Sequence, residues 1–535
     1  MHTESPDLVL ANGNVVTMDP KRRKVQAIAI KNGKFIAIGM NKDIIKLIDQ
    51  ETKKVDLKGK TVLPGFIDSH VHGTSLGNDL FRINLRGVKS IDAIQQKIKR
   101  NADATNEGQW IIGRGWDQDK LVEKRYPVCS DLDEVAPNHP VLLIRVCGHL
   151  GVVNSMAMRL ARIDKKTKSP QGGKIDKDPV SGQPNGILRE NSLNLIFQTI
   201  PRSSEENLKE LCLFACEQMV KEGITTAHWI IDSLDEMRVL QQLRNSESLP
   251  LRVNVIIPVN QLTALQKLGY APRFGDERIR IGSVKIFTDG SLGARTAALL
   301  KPYHDAPGTK GILLYSHKKL GQLVEKVVEA DLQLVIHAIG DRAIEVALKL
   351  LEETLRRTPK MNHRHRIEHV SVLNLKLLRK MKELGVIASV QPHFVVSDSW
   401  IEDRLGKGRS RWTYALRKLW NSGVKMIGGS DAPVEPVSPI LGIYAAMADR
   451  EFPKERLSID EAISLYTING AYGSFEENLK GSVEEGKLAD IVVLSQDPYN
   501  VTPEKIKDIR VEMTIVNGEI VFTRPEQGTN SYLKD

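Results

Sequence analysis

Leu63-Pro-Gly-Phe-Ile-Asp-Ser-His-Val-His72 is the stretch on which the fold of this chain turns. An apolar run ends in two histidines separated by one residue. On an extended backbone residues i and i+2 project to the same side. His70 and His72 therefore offer two imidazole nitrogens to one metal ion, with Val71 facing the other way. Pro64-Gly65 punctuates the chain where the strand begins. Alone, a His-x-His pair is more often a satisfied or exposed pair than a ligand pair. The decision rests on whether other strand ends supply further ligands.

The chain beyond it alternates strands and helices. Apolar runs predict strands at 61–70, 224–229, 252–258, 281–287, 333–337, 366–369, 386–391 and 424–428. Helical periodicity falls between them, as in 320–330, 343–356, 373–384 and 412–422. Eight α/β units in series favour closure into a (β/α)8 TIM barrel over an open doubly wound sheet.

Both chain ends read differently. Asn12-Gly13, Asn32-Gly33 and Asn517-Gly518 each lie between short apolar runs, and such pairs favour two-residue hairpin turns. With a strand at 491–494, they suggest one small β-sandwich domain composed of 1–60 and 478–535, leaving 61–477 to the barrel. About 150 residues separate the first barrel strand from the second, far more than the few of an ordinary βα loop. This stretch, about 74–222, reads as an inserted subdomain with a helix around 91–102 and strands at 110–114 and 141–146. Insertions after a barrel strand sit over the C-terminal face, so it is expected to form a lid or substrate wall.

Composition narrows the function classes. At 535 residues, 41% hydrophobic and 27% charged, the chain is globular and longer than one ordinary domain. Its apolar runs fall short of the ~20 residues of a membrane span. The first residues lack a basic segment followed by an apolar one, so a cytoplasmic address is expected. Four cysteines (129, 147, 212, 216) make no disulfide framework, and Cys212 and Cys216 read as small buried residues of one helix. The net charge of +10 is spread among acids as a solvated basic surface, which argues against nucleic acid as a partner.

Reading the strand ends in order supplies the further ligands. The first strand ends at His70 and His72, and the fourth carries Lys285 in Val-Lys-Ile-Phe-Thr-Asp-Gly. The fifth ends at His337, the sixth at His369, and the eighth runs into Gly-Gly-Ser-Asp431-Ala-Pro. In a closed barrel these converge on one mouth. Four histidines and an aspartate suit zinc or a similar divalent ion. Asp431 also reads as a helix N-cap after Ser430, which competes poorly here.

The chain resembles the amidohydrolase superfamily, in the subgroup similar to N-substituted formamide deformylase. The resemblance covers nearly the whole chain. It is carried by Gly-Phe-Ile-Asp-Ser-His-Val-His, Gly-His-Leu-Gly-Val-Val-Asn-Ser (148–155), Val-Lys-Ile-Phe-Thr-Asp-Gly-Ser-Leu-Gly (284–293), His-Ala-Ile-Gly-Asp-Arg-Ala (337–343) and Gly-Ser-Asp-Ala-Pro (429–433). It implies His70, His72 and Asp431 on one metal, His337 and His369 on a second, and Lys285 bridging them as a carbamate formed with CO2. The other reading of Lys285 is an ammonium paired with Asp289 or Asp431, leaving one metal.

The resemblance further implies a binuclear, dizinc hydrolase acting on a non-peptide C–N bond of a small amide or N-substituted formamide through a metal-activated hydroxide, with Asp431 moving the proton. A mononuclear deaminase or a cyclic-amide or lactone hydrolase of the same superfamily is the alternative. A non-enzymatic homologue is disfavoured because all six ligand positions are filled. Relatives often associate as homodimers. His149, in the insertion, is a candidate donor to the substrate carbonyl or a structural turn residue. His228 and His393 line the pocket or are hydrogen-bonded core residues. Trp116 packs a substrate group or the core. Glu368 is expected to point away from the site, since neighbours on a strand face opposite sides.

Overall fold

The computed structural model describes residues 5–21, 24–80, 82–201, 204–270, 272–448 and 456–525. Its centre is a sheet of eight parallel strands paired in chain order: β1 (Phe66–Val71), β2 (Ile224–Ile230), β3 (Arg252–Pro258), β4 (Ile279–Phe287), β5 (Gln333–Ala338), β6 (Arg366–His369), β7 (Ile387–Val390) and β8 (Met426–Gly428). A parallel bridge from Val71 to Ala432 closes it into a barrel. Alternation sorts the side chains. Val284 and Ile286 of β4, Leu334 and Ile336 of β5 and Ile367 of β6 join the core beneath the helices, while Ser283, Lys285, Val335, His337, Arg366 and Glu368 alternate with them. Between the strands run His317–Glu329, Asp341–Arg357, Leu375–Leu384 and Leu416–Ser422. Ser316 and Asn374 cap two of them by accepting the N–H of Lys319 and Leu377. Cys212 and Cys216 are buried on Glu205–Lys221. Among the described residues no helix is long and apolar enough to cross a membrane.

The predicted strand at 61–70 is two strands. Thr61–Pro64 lies between Asn14–Val16 and Ile491–Leu494 in a six-stranded sheet that joins both ends of the chain, and β1 begins one residue later. Gly65 is the joint: a Cβ there would sit 2.2 Å from the Thr225 hydroxyl. Asn32-Gly33 and Asn517-Gly518 close hairpins as predicted. Asn12-Gly13 does not. Leu8–Ala11 belongs to a separate four-stranded sheet, so this turn carries the chain from one sheet to the other. Leu8, Leu10, Ile28, Val62, Ile491 and Ile515 fill the core shared by the two sheets. The outermost residues, 1–4 and 526–535, lie outside the described set.

The long insertion builds its own six-stranded mixed sheet, from Ile83–Asn84 at one edge to Gly173–Lys177 at the other, with the helix Ile91–Ala104. Its strands Val141–Arg145 and Leu150–Val153 flank the loop that carries His149.

One buried ion pair fastens the barrel to the small sheets. Arg252, which opens β3, donates to Asp490 at 2.7 and 3.0 Å, and also to Glu277 O and Asn517 Oδ1. Both side chains are almost wholly buried, so removing Arg252 leaves the Asp490 carboxylate with the Asn517 N–H at 2.9 Å but without its ion-pair partner. Arg252→Met is expected to destabilise the protein by about 3–5 kcal/mol. A urea midpoint equal to wild type would show that the pair contributes nothing.

Candidate metal centre

The two ends of the barrel sequence meet at the site. The Asp431 N–H donates to His70 O at 2.7 Å and the His72 N–H to Ala432 O at 2.9 Å. Buried Asp68 adds a third tie, accepting from the N–H of Ser430 (2.9 Å) and of His70 (3.1 Å). Gly429 permits this approach, because a Cβ there would lie 2.6 Å from His70 N. Asp431 itself has φ of 59°, in the left-handed region, so its side chain turns back toward β1. Its Oδ1 lies 3.2 Å from His70 Nε2 and 3.4 Å from His72 Nε2.

His369 and His337 complete a buried group of imidazoles. The His369 ring centroid lies 5.0 Å from that of His70 and 4.5 Å from that of His337. The ligand atoms of His70, His369 and Asp431 all lie within 4.8 Å of one another. Both ring nitrogens of His369 are buried without a hydrogen-bond partner, which is costly unless something else occupies them. His337 Nε2 lies 3.2 Å from Gly290 O; donating there leaves Nδ1 as the lone pair of the ring. This donor set fits a divalent metal.

Lys285 is 1% exposed and its Nζ donates to His70 Nε2 at 3.3 Å. Burial pulls its pKa down to about 8, against the distant pull of Glu368 and Asp431. It has no ion pair with a described carboxylate. Asp289, one partner considered for it, instead accepts the N–H of Ala298, Ile339 and Gly340.

Glu368 corrects a sequence expectation. It faces the site: the His70 Nδ1–H donates to its carboxylate, Ser389 Oγ donates to it at 2.7 Å, and Arg366 Nε lies 2.8 Å away. Alternation holds up to Glu368 and breaks at His369, whose φ is 73°, followed by Val370 at 49°. The left-handed turn lets two consecutive residues serve one site. Burial raises the Glu368 pKa, but Arg366 and His70 outweigh it and hold the carboxyl well below the usual range. The carboxylate fixes the proton of His70 on Nδ1 and leaves Nε2 to act as a ligand.

A cavity of about 630 Å³ opens onto His72, His337, His369 and Asp431. His149 stands in its wall, 5.2 Å from the His337 ring, with Nδ1 donating to Glu190 at 2.8 Å. Burial alone would lower the His149 pKa; the Glu190 carboxylate reverses this and raises it to about 9. The pairing thus favours the protonated ring. Glu190 was silent in the sequence, since no motif marks its partner 41 residues away.

Three other candidates sit elsewhere. His228 does not line the cavity; it is 1% exposed and accepts from Arg366 Nη1 at 2.9 Å inside the barrel. Trp116 is wholly buried in the insertion, its indole N–H donating to Leu143 O at 3.1 Å. It packs that core and lines no part of the cavity. His393 pairs through Nδ1 with Glu435, and it is Glu435 that reaches a smaller adjoining pocket.

The profile of the Amidohydrolase family matches residues 53–522. Protein LONG AFTER FAR-RED 3 of Arabidopsis thaliana is 31% identical, over 96% of this chain and 91% of its own. N-substituted formamide deformylase of Arthrobacter pascens is 26% identical, over 98% and 99%. The crystal structure of an uncharacterized metal-dependent hydrolase from Pyrococcus horikoshii OT3 superposes with a TM-score of 0.76 at 33% identity, covering 93% of this chain and 99% of that one. A closed α/β barrel, a buried His/Asp group at its mouth and a family match over most of its length lead to one conclusion: the chain belongs to the amidohydrolase family of metal-dependent hydrolases.

Proposed function

We propose that the protein is a binuclear enzyme that hydrolyses a non-peptide carbon–nitrogen bond of a small molecule, a linear amide or an N-substituted formamide. The observation that carries this reading is Lys285, a buried lysine among imidazoles that makes no ion pair with a described carboxylate. An unpaired buried ammonium is costly, so the neutral amine is accessible. Its Nζ lone pair adds to the carbon of CO2 and a proton leaves, giving a carbamate whose one negative charge is shared by two oxygens. His70, His72 and Asp431 would hold one ion and His337 and His369 a second, zinc by the chemistry of the donors, with the carbamate shared. The name of the Arthrobacter pascens relative supports the substrate class.

When bound, the divalent ions acidify a water molecule and polarise the scissile carbonyl. The residues of the chain do the rest. Asp431 accepts the proton of the attacking water and returns it to the leaving nitrogen. His149, its protonated ring favoured by the pairing with Glu190, donates to the carbonyl oxygen as negative charge develops there. Glu368 and Arg366 hold His70 in the ligating tautomer.

A single-metal reading draws support from the compact group His70, His369 and Asp431, which excludes His337. Metal analysis separates the two: two ions per fully loaded chain are expected, and one would end the binuclear model. Lys285→Ala is expected to abolish amide hydrolysis, with partial recovery on adding formate or propionate together with zinc. An unchanged rate in this variant would sink the carbamate. Glu368→Gln keeps the shape but removes the charge, and is expected to weaken zinc binding about 10- to 100-fold in competition with a chromogenic chelator. Wild-type affinity in that variant would show that the carboxylate does not tune His70.

A further inference from the structure

We infer that the substrate carries a carboxylate away from its scissile bond, and that Arg82 and Arg114 receive it. The inference rests on the hydrolase reading for the bond that is cut, but the anion site stands on separate residues. Both arginines line the same 630 Å³ cavity as His72, His337, His369 and Asp431. Arg114 comes from the insertion strand Ile111–Trp116, and Arg82 follows the short turn Asn78–Leu80.

Neither guanidinium pairs with a carboxylate among the described residues. Arg114 is 9% exposed, its Nε is buried without a partner, and its Nη2 has only the Val146 carbonyl at 3.4 Å. It lies against Gly148, beside His149. The Arg82 side chain makes no hydrogen bond or ion pair among the described residues. The carboxylates nearby are engaged or too few. Asp431 is held by His70 and His72, and Glu190 by His149. Asp232 accepts from Ser75 at 3.4 Å. Asp79 stands within the field of three arginines, 82, 86 and 114. Arg86 is spent on the carbonyls of Pro433 and Val434.

Of the three carboxylates that line the cavity, Asp431 and Glu190 are held by histidines, which leaves Asp232 against the two guanidiniums of Arg82 and Arg114 and one positive charge in excess. One charge matches a carboxylate better than a phosphate dianion, and the planar fork of a guanidinium suits two carboxylate oxygens. Buried cations without partners are costly in the empty protein, so an arriving monoanion gains what the fold leaves unmade.

The test uses the full-length, zinc-loaded protein. N-formyl derivatives of glycine, β-alanine and γ-aminobutyrate are compared with the N-formyl alkylamines that lack only the carboxylate. At the best chain length the acid is expected to be preferred about 10- to 100-fold in kcat/KM, carried by KM. In Arg82→Gln and in Arg114→Gln that ratio is expected to collapse toward unity. The ratio is insensitive to a general loss of active enzyme. Equal rates on acid and neutral partners, or a preference that survives both substitutions, overturns the anion site and leaves the hydrolase reading standing. A preference for the matching N-formyl aminoalkylphosphonates overturns the choice of carboxylate. If no formamide is cleaved, the hydrolase reading fails and calorimetry decides the site. Hexanoate binding that exceeds hexanol binding and is lost in Arg114→Gln upholds it; equal binding by the variant overturns it.

Discussion

Everything at the mouth of this barrel depends on how its last strand meets its first. The N–H of Asp431 reaches His70 O, the N–H of His72 reaches Ala432 O, and Asp68 gathers the N–H of both Ser430 and His70. These bonds join segments that lie 362 residues apart in the chain. Because they fall at the candidate ligands, closing the barrel and setting the distances between His70, His72 and Asp431 are one event. Gly429 leaves room for that contact. Any side chain there would push the two strands apart at the one place where they must touch.

Around this seam the barrel interior is polar, and its polar groups are mostly matched. Asp289 is consumed by three backbone N–H groups, His228 by Arg366, and Glu368 by His70, Ser389 and Arg366. Buried atoms without a hydrogen-bond partner are spread through the barrel, and some of them belong to groups at the site and its cavity. His369 has two idle ring nitrogens, and Lys285 makes no ion pair among the described residues. In the wall of the cavity Arg114 has an idle Nε. Buried donors and acceptors left unpaired raise the energy of the empty protein, and binding recovers that energy.

How much of this was legible depends on the distance over which each residue is decided. The eight strands announce themselves through local apolar runs, and the ligands at their ends follow from position. Asn12-Gly13 and Asn32-Gly33 carry the same local signal, yet only the second closes a hairpin. The first turns between sheets because Leu8–Ala11 finds its partners at Ala27–Lys31 and Lys53–Asp56. Trp116 looks like a pocket aromatic until Leu143, 27 residues on, takes its indole N–H. Glu368 was misplaced for a different reason: period-two alternation assumes extended backbone, and His369 leaves it with φ of 73°.

The amino-acid sequence by itself determined the order of strands and helices and the identity of the residues at the strand ends, because those follow from hydrophobic periodicity over a few residues. It also determined that two histidines two apart share a side. Only the tertiary structure decided which polar groups pair with one another: Glu368 with His70, Glu190 with His149, Arg366 with His228, and neither Arg82 nor Arg114 with a carboxylate. Those pairings join residues brought together across the closed barrel and, for Glu190 and His149, by antiparallel pairing of strands within the insertion. No local pattern encodes them, because hydrogen bonding and charge act across space rather than along the chain.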